Sequence, residues 1–171
     1  MKVITMFAVL CAAAVLSAAE TALLDAKAAI KAPAKTTTAT LKDGVLTLEG
    51  KSGQDKYNYQ YTRVMITPVV TQGKKLSVTI EPATTFKGDT VYLKGLDANG
   101  KEVFSYVAYA LPAAKKTYVI ELGKTTSPFR WIEQQIKSTP ETPVAALQFF
   151  HGRATKDSDM KITISDIKLV D

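Results

Sequence analysis

Ala39-Thr40-Leu41-Lys42-Asp43-Gly44-Val45-Leu46-Thr47-Leu48-Glu49 carries the pattern that decides the fold class. On both sides of Asp43-Gly44, apolar and polar residues alternate. A period of two belongs to a strand with one face on a core and one in water. Asp-Gly between two such arms is a strong two-residue hairpin signal, because both turn positions need positive φ. The segment therefore predicts an antiparallel hairpin.

The same signals recur outward from it. Leu76, Val78 and Ile80 alternate with Ser77, Thr79 and Glu81, which predicts a half-buried strand stopped by Pro82. Residues 90–97 and 101–110 flank Asn99-Gly100, a second hairpin dipeptide. Residues 117–122, 144–151 and 161–170 read as further strands. Residues 127–136 read either as a helix started by Ser127-Pro128 or as a strand, with strand preferred. In the last strand Ile162 and Ile164 take one parity, Ile167 and Leu169 the other. An apolar phase that slips at Ser165-Asp166 predicts a β-bulge.

About nine or ten short strands punctuated by Gly, Pro, Asn and Asp predict an all-β, antiparallel β-sandwich, a jelly roll. At 171 residues the chain suits one domain. Its organisation reads as 1–19, a signal peptide; 20–36, an N-terminal segment or linker; and 37–171, the sandwich. Residues 20–36 are rich in Ala and Lys. They read as a short helix, a linker or a first edge strand, with Pro33 ending any helix.

Lys2, the apolar run 3–16 and Ser17-Ala18-Ala19 have the order of a secretory signal. The expected location is secreted or periplasmic, with no stable membrane insertion. Cys11, the one cysteine, lies within that signal, so the mature chain has no disulfide or thiol chemistry. An exported domain of this size without cysteine reads as bacterial. The net charge is +6, but the basic residues are scattered among acids. There is no basic run and no nucleic-acid motif, which argues against a nucleic-acid partner.

Tyr57-Asn58-Tyr59-Gln60-Tyr61-Thr62-Arg63-Val64-Met65-Ile66 holds the candidate binding residues. Val64 and Ile66 need a core, and Thr62 shares their parity. Tyr57, Tyr59, Tyr61 and Arg63 then lie on the outer face. Tyr92, with Lys94, is outward if Val91 and Leu93 are core, and Gln148 is outward if Leu147 and Phe149 are core. Aromatic rings stack on the C–H faces of sugars, and planar polar groups bond the hydroxyls. The competing reading is that tyrosine is simply a good strand former.

Catalysis has little support in the sequence. His151 is the one histidine, and its parity with Leu147 and Phe149 makes it a core or rim residue. No nucleophile elbow, phosphate loop or zinc spacing is present. The expectation is a protein that is not an enzyme and needs no cofactor.

Ile164-Ser165-Asp166-Ile167-Lys168-Leu169 resembles the closing strand of jelly-roll carbohydrate-binding modules, the galactose-binding-like sandwiches that accompany bacterial glycoside hydrolases. Residues 44–48, 73–78 and 146–152 resemble other strands of those modules. Their usual N-G-x-F-E opening is absent, and tyrosine stands where tryptophan is frequent. The resemblance implies a secreted, non-catalytic protein that holds a polysaccharide on an aromatic-lined sheet face. The alternative is a structural or protein-interaction sandwich of the cell envelope, with an envelope protein as partner and no glycan ligand. Modules of this kind often carry a structural calcium held in part by the aspartate of the last strand. Asp166 matches that position and Glu49 is a further candidate ligand; otherwise Asp166 caps the bulge.

Overall fold

A computed structural model describes residues 20–32, 37–51, 60–83, 91–108, 113–122, 141–151 and 159–171. These form eleven strands: β1 (Thr21–Ala22), β2 (Ala29–Ala32), β3 (Thr37–Lys42), β4 (Val45–Lys51), β5 (Gln60–Val69), β6 (Lys75–Pro82), β7 (Val91–Leu96), β8 (Glu102–Ala108), β9 (Lys116–Glu121), β10 (Val144–His151) and β11 (Asp159–Val170). They build two sheets. The first runs β3-β4-β11-β6-β9, with β1 also on β11; the second runs β2-β5-β10-β7-β8. Every strand pairing is antiparallel. This is the expected antiparallel sandwich of jelly-roll type.

The core lies between the sheets. Leu46, Leu48, Leu76, Ile162 and Ile164 enter it from the first sheet, and Val64, Leu147, Phe149 and Phe104 from the second. Each is almost fully removed from water, and burial of this kind is the main stabilising term.

The hairpin at Asp43-Gly44 forms as read. Lys42 pairs with Val45, and both turn residues have positive φ, 48° and 74°. The bulge also forms where the apolar phase slips. β11 pairs with β6 in one register up to Ser165 and in another from Lys168, with Asp166 at φ 50°. The extra residue turns Ile167 and Leu169 into the same core as Ile162 and Ile164. Aspartate tolerates this left-handed conformation better than most side chains.

Three readings are resolved or changed. First, of the alternatives open for 20–36, the described part takes the strand: Thr21–Ala22 and Ala29–Ala32 are strands, with bends and turns between them. β1 joins the first sheet and β2 the second, and Leu23 and Leu24 between them are buried. Ala29 to Ala32 carries one half-buried apolar residue, Ile30, against the core. Second, β6 is buried on both faces from Leu76 to Ile80. It lies between β11 and β9, where the Thr79 hydroxyl meets that of Thr117 at 2.8 Å. Third, Asn99-Gly100 is not a two-residue turn. The Gly100 N–H donates to the Asp97 carbonyl at 3.0 Å, and only Gly100 has positive φ. The Asp97 carboxylate draws in the N–H groups of Asn99 and Lys101, at 2.9 and 2.8 Å. That side-chain turn outcompetes the tighter one.

Candidate binding face

The outer face of the second sheet is the candidate site. On β5, Thr62, Val64 and Ile66 are buried, while Tyr61 is 42% exposed and Arg63 is half-buried. The phase drawn from Val64 and Ile66 therefore holds for the described part of the strand. Tyr57 and Tyr59 lie outside the described residues.

Neighbouring strands supply the rest of the face. The register places Arg63 opposite Gln148 on β10, Gln148 opposite Lys94 on β7, and Lys94 opposite Ser105 on β8. Partners across a ladder share a face, about 4.8 Å apart. Arg63 donates from Nε and Nη2 to the single Gln148 Oε1, at 3.0 and 2.7 Å. Arginine has only donors, so the oxygen of that amide must face it. Lys94 is ion-paired with Glu102 at 2.7 Å, and both side chains are 29% exposed. A second row lies beside this one. The backbone register sets Tyr61 opposite Phe150, and Phe150 opposite Tyr92.

One site expectation needs correction. Gln148 belongs to this face, but only 8% of it is exposed. It sits on the middle strand beneath longer neighbours, and its oxygen is taken by Arg63. That bond fixes the Arg63 guanidinium against β10. The register also lines up three aromatic positions, Tyr61, Phe150 and Tyr92, across β5, β10 and β7. Phe150 and Glu102 went unnoticed in the sequence. Alternation from Gln148 already gave Phe150 the right parity. Glu102 needed the true turn length to be found.

The proposed calcium ligands do not come together. Glu49 stands opposite Lys161 and is ion-paired with it at 3.3 Å. Asp166 lies further along β11, on the order of 15 Å away at the strand rise. Among the described residues no three metal-ligating side chains cluster, and a calcium ion takes six to eight oxygens. This pair does not fit a shared ion.

A cavity of about 670 Å³ opens elsewhere, where β11 leaves β4 and joins β1. Asp25, Asp43 and Asp166 line it with several small apolar residues. Asp25 is already engaged by the Lys27 N–H at 2.9 Å and the Thr67 hydroxyl at 3.0 Å. The first of these bonds, then the second, holds its pKa below the ordinary value. The cavity shows no aromatic side chain and no fixed donor array, so the sheet face remains the better candidate.

No protein-family profile matches the chain, and no curated protein is similar to it in sequence. Solved structures do match. The family 11 carbohydrate-binding module from Clostridium thermocellum, solved with a β-1,3-1,4-mixed-linked tetrasaccharide, superposes with a TM-score of 0.52 at 13% identity, over 84% of this chain and 86% of that one. The chain has the fold of a carbohydrate-binding module. A family 29 module from Piromyces equi agrees, with a TM-score of 0.51 at 11% identity over 90% and 91% of the two chains. The agarase AgWH50C contains a similar unit, with a TM-score of 0.54 at 11% identity over 88% of this chain. The chain spans only 23% of that agarase. At such identities the likeness concerns the module fold.

Proposed function

We propose that this protein is a non-catalytic carbohydrate-binding domain, secreted or periplasmic, that holds a polysaccharide on the outer face of its second sheet. One observation carries the reading: a guanidinium fixed by a buried amide lies beside an exposed tyrosine on a broad sheet face. The Tyr61 ring stacks on a sugar and the remaining Arg63 N–H groups bond its oxygens. The shared fold with modules that include a tetrasaccharide complex supports this reading. The described acids around the face are committed to structure. Glu102 is bound by Lys94, and Asp97 by the N–H groups of its own turn. Glycoside hydrolysis needs two free carboxyl groups across a scissile bond.

Affinity electrophoresis through gels containing a panel of polysaccharides tests the proposal. The protein should be retarded in at least one gel, and Tyr61→Ala should migrate freely there. Free migration of the wild type in every gel overturns it. Loss of an envelope protein from a pull-down with Tyr61→Ala would then favour an interaction domain. Export is tested by fusing residues 1–19 to a reporter and fractionating the cells.

A further inference from the structure

The charges on the binding face are not balanced alike. Lys94 has Glu102 as its counter-ion at 2.7 Å. Arg63 is anchored instead by a neutral group, the Gln148 amide oxygen. Among the described residues no carboxylate pairs with its guanidinium. The distinction matters electrostatically. A carboxylate would orient the guanidinium and cancel its charge; an amide oxygen orients it and leaves the charge in place.

The Nη1 end of the guanidinium lies close to the β7–β8 turn, where a Cβ built at Gly100 would stand 3.9 Å from it. Glycine at that position supplies the positive φ of the turn and adds no side chain over the arginine. Tyr61 lies two residues away on the same face, ~6.8 Å along the strand. A ring stacked on Tyr61 would bring its substituents towards Arg63. The whole chain is cationic at +6, which draws polyanions to it at long range.

We infer that the glycan held on this face is acidic, a polysaccharide whose sugars carry carboxylate or sulfate groups, and that Arg63 receives the anion. The inference rests on the proposed function and narrows it. Gln148 is the positioning residue: it turns the guanidinium so that Nη1 and the second Nη2 N–H face the ligand. Both anions offer paired oxygens that a guanidinium binds through two N–H groups at once.

Cathodic affinity gels containing polygalacturonate, a sulfated galactan or an uncharged mixed-linkage β-glucan test it. Wild type is compared with Arg63→Gln, Arg63→Lys and Lys116→Gln. Lys116 is an exposed residue on β9 of the other sheet, so its variant removes the same charge elsewhere. The wild type should be retarded by at least one acidic gel, and which one distinguishes carboxylate from sulfate. Retardation should weaken about tenfold or more in Arg63→Gln and stay unchanged in Lys116→Gln. Arg63→Lys keeps the charge without the fork, so it should fold and bind with intermediate strength. Retardation only by the neutral glucan overturns the inference and leaves glycan binding standing. Equal loss in Arg63→Gln and Lys116→Gln also overturns it, because diffuse charge would then account for binding. Free migration in all three gels removes the inference, and the wider panel of neutral polysaccharides then decides whether glycan binding itself stands.

Discussion

Arg63 and Gln148 are 85 residues apart in the chain and direct partners across β5 and β10, joined by two hydrogen bonds to one amide oxygen. The contact crosses the middle of the proposed face. Part of it is shielded from water, which strengthens a charge-assisted bond relative to one on an open surface. A double-mutant cycle with Arg63→Met and Gln148→Leu should give a coupling energy of about 1–2 kcal/mol in urea denaturation. Additive single effects would mean the bond contributes nothing to stability.

Gly95 is required by a ring. A Cβ at this position would stand 2.2 Å from Phe104 Cε1, inside the core. Phe104 lies opposite Gly95 in the β7–β8 register, so backbone and ring cannot simply separate. Gly95→Ala should lower stability by about 1–3 kcal/mol, the usual cost of overpacking. Adding Phe104→Leu should recover part of that loss. A Gly95→Ala protein with the wild-type melting temperature would show that the ring moves aside freely.

Thr62 buries a hydroxyl without a partner. Its Oγ1 makes no hydrogen bond, and the residue is fully buried opposite Phe149. Valine has nearly the same shape and no polar atom to desolvate. Thr62→Val should therefore raise stability by about 1 kcal/mol. Thermal denaturation checks this, and a lower melting temperature would show that the hydroxyl is bonded in solution.

Asp25 ties the loop between β1 and β2 to β5 and gives the fold an acid-sensitive point. It lies between β1 and β2, and its carboxylate accepts the Lys27 N–H and the Thr67 hydroxyl on β5. Its pKa is lowered, chiefly by the Lys27 N–H. Below its ordinary value, about 3.9, the unfolded chain binds the proton more readily than the folded one. The stabilisation from this group is complete above that pH and is lost as pH falls through the lower folded value. Asp25→Asn should lower the melting temperature near neutral pH and narrow its gap to wild type at about pH 3. A gap independent of pH would rule out this linkage.

Some features were legible from local residues alone. Asp43-Gly44 announced its turn because both residues had to accept positive φ, and flanking alternation fixed which faces were buried. The bulge at Asp166 was visible because four aliphatic residues could enter one core only if the strand gained a residue. Residues 21–32 were less legible. Ala and Lys have no strong strand preference, so pairing with β11 and β5, not local propensity, makes that segment's two short strands. Asn99-Gly100 misled because the competing acceptor, Asp97, lies two residues upstream and claims the same N–H groups.

The candidate face divides in the same way. Alternation placed Tyr61, Arg63 and Gln148 on one outer surface, since Val64, Leu147 and Phe149 could go only inward. The sequence by itself thus determined strand class, turn positions and the parity of each side chain, all set by forces acting within a few residues. Only the tertiary structure decided which residues of equal parity become neighbours. Register between distant strands lined up aromatic positions from β5, β10 and β7. It also buried Gln148 beneath Arg63, where one amide oxygen holds a guanidinium whose charge is left for a ligand.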